Sequence, residues 1–445
     1  MTASPSLLIR NALILTMNDA FDTVEGGVLV RDGRIAAIGL DAEHEEAEQT
    51  IDAGGRYLLP GFVQTHIHLC QTLFRGFADD LRLLDWLKQR IWPMEAAHDE
   101  ASLRAATRMA VAELLRSGTT AVLTMETVHD TDVVFDTVAG MGIRATIGKC
   151  MMDGSGEVPA RLKERTADSI HESQALRDRW DGAANGRLRA AFAPRFAVSC
   201  TRDLLESVGT LSAETGALVH THASESRDEL VVVRAMSGMD NIEYLAATGL
   251  ASSRLCAAHC VWVDEKAQRV LQEHHVNVLH CPGSNLKLGS GIAPVPELRA
   301  RGICVSLGTD GAACNNRLDM FDEMRLAATL QAVRLEPGVL AAREVLWMAT
   351  REGARALGLD REIGSVEVGK RADLILVDRD RPHLLPGLDP YGTLVYSGRG
   401  TDVWAALVDG AMLVREGCLV AEDEAEIAAD AREQAAKLLL RSGVV

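Results

Sequence analysis

The sequence predicts an eight-fold β/α barrel that carries a small β-sandwich built from both chain ends. Three observations point there. Eight short apolar or β-branched runs recur between residues 60 and 310, each followed by a turn and an Ala/Leu/Glu/Arg-rich stretch; hairpin-like strands sit at both ends of the chain; and histidines and an aspartate fall at the ends of several of the eight runs.

In chain order the runs are FVQTHIH (62–68), TTAVLTM (119–125), RATIGKC (144–150), RAAFAPR (189–195), LVHTHA (218–223), LCAAHC (255–260), VNVLHC (276–281) and ICVSLGTD (303–310). Between them, stretches such as SLRAATRMAVAELLRSG have the apolar spacing and the terminal glycine of an amphipathic helix. Eight units over about 250 residues match a barrel in number and length. A doubly wound sheet seldom needs eight units and would not gather residues from every strand end around one point. The flanks differ: LLIRNALILTM, GGVLVRDGRIAAIG, ADLILVDRD and DVWAALVDGAMLVREG are short strands, with Asp32-Gly33 and Asp409-Gly410 at hairpin turns. The expected division is residues 1–59 for the first part of the β-sandwich, 60–365 for the barrel, and 366–445 for the second part plus a terminal helix. That helix, in EDEAEIAADAREQAAKLLLRSG, starts acidic and ends basic, as the helix dipole favours.

Composition narrows the partners. The formal charge of −17 comes without a basic stretch that could neutralise a row of phosphates, so a small molecule is expected and nucleic acid is not. No run of 18 apolar residues exists, and MTASPSLLIRNALILTMND lacks the basic start of a signal peptide, so neither a membrane nor export is expected. Nine cysteines, odd in number and scattered, suit buried thiols of the reducing cytoplasm.

In an extended strand, side chains at i and i+2 share a face, so His66 and His68 can reach one point. His222 lies in the fifth run, His259 in the sixth, and Asp310 closes the eighth. Three imidazoles and a carboxylate at a barrel mouth form a nitrogen/oxygen site that suits one zinc, with ferrous iron the alternative; the set favoured is His66, His68, His222 and Asp310. A metal makes bound water acidic, but a carboxylate must still move its proton; Glu225, three residues past His222, is the candidate. His259, with Asp310, is left to polarise or orient the attacked group. Other chemistries lack their motifs: there is no GxxxxGK[ST], no GxGxxG after the first run, and no lysine in the fourth to bridge a second metal.

These residues, with LPGFVQTHIH, LFRGFADDL, WLKQRIWPME, SGTTAV, HTHASES, AHCVW, HCPGSNLKLGSGIAPVPEL, GTDGAACNN and GSVEVGKRADLILVD, make the chain resemble the amidohydrolase superfamily over nearly its whole length. Within it, the resemblance is to the mononuclear nucleoside and nucleobase deaminases, closest to those acting on 5′-deoxyadenosine, methylthioadenosine and S-adenosylhomocysteine. It implies a barrel with a β-sandwich, one metal on His66, His68, His222 and Asp310, proton transfer by Glu225 to a ring nitrogen, and help from His259 for the attacking water. It also implies that Glu95 binds ribose hydroxyls, that Trp92 beside it lines the substrate pocket, and that Lys149 and Arg161 stand near the place of two carboxylate-binding arginines. Lysine cannot supply a bidentate fork, which counts against S-adenosylhomocysteine. Where many relatives have a histidine, the chain reads APRFAVSC and places Arg195; guanine deaminases resemble it there, and Gln71 suits their base-binding glutamine. The expected reaction is hydrolytic deamination of a 5′-modified adenosine. Alternatives are a guanine, aminopurine or pterin deaminase, a triazine hydrolase, or a catalytically silent binding barrel. Enzymes of this kind often form homo-oligomers, and no segment singles out an interface.

Overall fold

The computed structural model describes residues 6–154, 156 and 158–444; the first five residues of the stretch read for a signal peptide lie outside these. All eight expected barrel strands form: β6 Phe62–Ile67, β7 Thr119–Met125, β8 Arg144–Met151, β9 Leu188–Pro194, β10 Val219–Ala223, β11 Leu255–His259, β12 Asn277–His280 and β13 Val305–Leu307. They pair in parallel in sequence order. Helices cover the outside and side chains fill the inside, so β6, β7, β8, β11, β12 and β13 are buried at every residue. The circle closes where β6 meets β13. Thr65 Oγ1 donates to the Leu307 carbonyl (3.0 Å), and the Asp310 amide donates to the His66 carbonyl (3.0 Å). A Cβ on Gly308 would stand 2.7 Å from the His66 backbone nitrogen and oxygen, so only glycine lets the first and last strands approach this closely.

Both chain ends build the second sheet. Its strands are β1 Leu7–Leu15, β2 Thr23–Arg31, β3 Arg34–Gly39, β4 Gln49–Asp52 and β5 Tyr57–Pro60, with β14 Leu374–Val377, β15 Val403–Val408, β16 Ala411–Arg415 and β17 Cys418–Leu419. Antiparallel pairing of β5 with β14 joins the two halves into one hydrogen-bonded mixed sheet of nine strands. Leu7, Ile9, Val28 and Val30 from one half and Leu374, Leu376 and Leu407 from the other share a core. Both hairpin turns have the left-handed backbone of a type I′ turn, at Asp32 and Gly33 (φ 50° and 74°) and at Asp409 and Gly410 (φ 49° and 74°). The terminal helix Glu424–Ser442 lies along Glu100–Arg116, where Arg108 and Arg116 pair with Glu422 (2.7 Å) and Glu424 (2.8 Å).

The sheet is bolted to the barrel by a buried ionic cluster. Arg144, the first residue of β8, donates through Nε and Nη2 to both oxygens of Asp373 (2.7 and 2.9 Å) and through Nη2 to Asp409 (2.5 Å). The Arg144 and Asp373 side chains are 3% and 1% exposed, so removing the guanidinium leaves carboxylates with neither water nor a full set of cations. Arg144→Ala should therefore destabilise the fold by about 3–5 kcal/mol, read as a lower urea midpoint. A midpoint within experimental error of the parent would show that the cluster contributes nothing net.

Candidate metal centre

His66 and His68 leave the end of β6, His222 sits near the end of β10, and Asp310 follows β13. One ligand atom from each lies within 4.8 Å of every other. Hydrogen bonding fixes which nitrogens point inward. His68 Nδ1 faces the Met125 carbonyl (2.7 Å) and His222 Nδ1 the Arg195 carbonyl (2.7 Å); a carbonyl only accepts, so both Nδ1 atoms carry protons. With neutral rings, the inward Nε2 atoms are then bare lone pairs, and those of His68 and His222 stand 3.3 Å apart. His66 Nε2 is buried with no hydrogen-bond partner; it lies 3.4 Å from Asp310 Oδ1, and His68 Nε2 lies 3.2 Å from the same oxygen. Lone pairs so arranged repel one another, and a divalent cation among them relieves the repulsion: the donor set fits one metal ion. Burial pushes His66 down to about 4 and His222 well below the ordinary imidazole range, so both stay neutral at pH 7, whereas at His68 burial is outweighed by the Asp310 carboxylate, which raises the ring and favours positive charge where a cation would stand.

Several groups without a clear mark in the sequence hold these ligands. His220, two residues before His222 and on the same strand face, places Nε2 2.7 Å from His66 Nδ1. The H-x-H spacing of 220–222, the same as that of His66 and His68, is the mark it carries in the sequence. Ser284 Oγ donates to Asp310 Oδ2 (2.7 Å), and Glu126 accepts from the Leu69 and Cys70 amides (3.2 and 2.9 Å), fixing the turn after His68. Four residues at the strand ends have left-handed backbones without being glycine: Ser224 (φ 52°), His259 (72°), Cys260 (46°) and Asp310 (62°).

Glu225 stands beside the ligands. It is 3% exposed, accepts from Ser290 Oγ at Oε1 (3.3 Å), and faces His259 Nε2 with Oε2 (3.5 Å). Burial raises its carboxyl to about 7, where it can both take and give a proton near neutrality. His259 Nδ1 contacts Asn285 Oδ1 (2.9 Å), and its Nε2 is also 3.8 Å from Asp310 Oδ2.

A narrow pocket opens on this cluster, lined by His68, His222, Glu225 and Asp310, by Gln71 and Arg195, and by an apolar wall of Leu83, Trp86, Leu87, Phe196 and Leu288. Of the remaining expected pocket residues, Glu95 lies behind the surface. Arg195 grips it with both Nη atoms (2.6 and 3.2 Å), and Gln71 Nε2 donates to it (2.9 Å). Trp92, Lys149 and Arg161 do not line the cavity. Trp92 packs into the core beside Trp86 and Ile91. Lys149 is 2% exposed and held by Glu164, because β8 turns its side chain away from the mouth; Arg161 is half exposed and tied to Asp130 (3.2 Å) and the Ala96 carbonyl (3.3 Å).

Residues 57–413 match the amidohydrolase family. The chain is 38% identical to the 5′-deoxyadenosine deaminase of Methanosarcina mazei, over 98% of this chain and 99% of that one. To the 5-methylthioadenosine/S-adenosylhomocysteine deaminase of Symbiobacterium thermophilum it is 40% identical, over 97% and 99%. Its fold is similar to the crystal structure of an adenosine deaminase from Xanthomonas campestris with bound zinc, at a TM-score of 0.92 and 33% identity over 98% of each chain.

His220 supports His66 without facing the cavity, so its loss should act on metal retention. His220→Ala is expected to weaken metal binding by about 10–100-fold, measured by chelator competition with metal analysis of the protein. Affinity equal to the parent would remove His220 from the site.

Proposed function

The chain belongs to the amidohydrolase family, and from that premise we propose that it is a metal-dependent hydrolytic deaminase of adenosine nucleosides with a small apolar 5′ end, such as 5′-deoxyadenosine or methylthioadenosine. The observation that carries the reading is the pairing of a metal-fitting cluster with a buried carboxyl, Glu225, and a largely apolar cavity on one barrel mouth. His66, His68, His222 and Asp310 are assigned to the metal, zinc before iron, in line with the zinc-bound neighbour. When bound, the ion supplies a Lewis acid that lets water ionise near neutral pH. Glu225 accepts a proton from the attacking water at a carboxylate oxygen and delivers it to purine N1 as the oxygen adds to C6; the second proton of that oxygen then passes to the amino group, which leaves as ammonia as the C6 carbonyl forms. His259, between Glu225 and Asp310, orients the attacking oxygen.

Substrate choice depends on what the cavity offers. Among the described residues, the only cationic side chain lining it is Arg195, already paired with Glu95. A 5′ substituent ending in a carboxylate would meet leucine and tryptophan instead of a free guanidinium, which favours apolar 5′ groups over the amino-acid tail of S-adenosylhomocysteine. Guanine would need Arg195 and Gln71 free to read the base, and both donate to Glu95. Glu95, behind the cavity wall with both oxygens taken, is assigned to the ribose side only through Arg195 and Gln71, which it holds at that wall. The nine unpaired cysteines, eight of them buried, support a cytoplasmic location, and the charge of −17 supports a small-molecule substrate over nucleic acid. No helix among the described residues is long and apolar enough to cross a membrane. Homo-oligomerisation stays part of the proposal on the enzyme class alone.

The test is ammonia release by the zinc-loaded protein from 5′-deoxyadenosine, methylthioadenosine, S-adenosylhomocysteine, adenosine and guanine side by side. The first two should lead in kcat/KM, and guanine should be inert. Glu225→Gln should keep its metal and lose on the order of 10²–10⁴-fold in kcat. No ammonia from any adenosine nucleoside would overturn the reading; a lead for guanine would transfer Arg195 and Gln71 to base recognition.

A further inference from the structure

One buried carboxylate neither faces the metal cluster nor lines the cavity. Glu229 is fully buried, in the first turn of the helix Arg227–Ser237, four residues past Glu225. A helix beginning Ser-x-x-Glu commonly turns its glutamate back to the amide of the capping serine. Here the cap is half made: Ser226 Oγ accepts from the Glu229 amide (3.2 Å), while the Glu229 carboxylate reaches one residue further and accepts the amide of Glu225 itself (2.7 Å). Its other oxygen is pinned by Asn241 Nδ2 (2.5 Å), and Asn241 Oδ1 is buried without a partner. Ser224, directly before Glu225, is in the left-handed conformation, and its carbonyl is strapped by the Val261 and Trp262 amides (3.0 Å each).

We propose that Glu229 is a positioning residue for the proton shuttle: by clamping the Glu225 amide it sets the direction in which the Glu225 side chain leaves the strained turn. A shuttle must hand one proton between two sites within hydrogen-bond reach, so a small rotation of its backbone misplaces both ends of the transfer. Geometry suits Glu229 to this task, since one of its oxygens accepts the Glu225 amide while Asn241 fixes the other. This inference rests on the shuttle role proposed for Glu225.

The test compares Glu229→Ala, Glu229→Gln, Asn241→Ala and Ser226→Ala in the full-length zinc-loaded protein, with Glu225→Gln in parallel. Glu229→Ala should lower kcat by about 10–100-fold with KM and metal content near the parent. Glu229→Gln should restore most of the rate, because its carbonyl accepts the Glu225 amide while Asn241 turns its free oxygen to the new NH₂ group. Ser226→Ala removes the helix cap but not the clamp, and should lower Tm without changing kcat. If Glu229→Ala does not fold, Asn241→Ala decides: loosening one carboxylate oxygen should still lower kcat several-fold. Unchanged kcat in the folded Glu229 and Asn241 variants, with Glu225→Gln inactive, would overturn the clamp alone. An active Glu225→Gln would instead overturn the shuttle reading beneath it.

Discussion

Everything at the barrel mouth depends on the repulsion among imidazole lone pairs that have been dried and aimed at one point. Two backbone carbonyls, of Met125 and Arg195, take the Nδ1 protons of His68 and His222 and so turn their bare Nε2 atoms inward; His220 contacts the outward nitrogen of His66. Each contact is favourable in itself, but the orientation it imposes keeps an unpaired nitrogen buried near another. That orientation is tolerated because the barrel over-determines it. The Met125 carbonyl belongs to β7, locked by parallel pairing; Arg195, directly after β9, is held by its amide's bond to the Met151 carbonyl (3.2 Å); and the closure at Gly308 brings Asp310 within reach of His66. A cation completes a site whose shape is fixed before it arrives, which is the preorganisation that electrostatic catalysis requires.

The same over-determination accounts for the left-handed residues. Ser224, His259, Cys260 and Asp310 each occupy a backbone region that costs a non-glycine residue on the order of 1–3 kcal/mol. Strand geometry alone would send alternate side chains to opposite faces; a left-handed residue at the strand end breaks that alternation and re-aims the next side chain. At β10 it delivers Glu225 to the mouth shared with His222, and at β11 it bends the chain directly after the ring that must face Glu225. Strain here is a means of bringing side chains from successive positions to one point, and the surrounding apolar core, with Val219, Val261 and Leu307 buried beside it, absorbs the cost.

Much of this was legible in the sequence because it rests on local pattern. The eight strands, both Asp-Gly hairpins and the His66, His68, His222 and Asp310 cluster reflect period-two spacing, turn chemistry and position at the ends of apolar runs. The features that stayed hidden depend on through-space partners. Lys149 reads as a cation near the mouth, but β8 points it at Glu164. Trp92, six positions past the lining Trp86, falls on a different side of the helical stretch and packs inward. Ser284 and Asn285 carry no spacing signal, since each meets its partner across a loop, and the Ser-x-x-Glu spacing of Glu229 marks a helix cap without showing that its carboxylate reaches past the serine to the Glu225 amide.

Arg195 shows why residue type alone cannot assign a role. A guanidinium at a purine pocket reads naturally as a hand for the base, and in a chain without Glu95 it would be free to act as one. Here both of its Nη atoms are committed to a carboxylate 100 residues earlier in sequence, with each side chain under 5% exposed, so the pair is neutral overall and rigid. Replacing either member alone would strand the other as a buried charge, and replacing both would erase the polar wall that Gln71 completes. The two positions are therefore constrained as a unit. A change of substrate from a nucleoside to a free base would need Glu95 altered first, because only its removal releases Arg195 to meet a new partner.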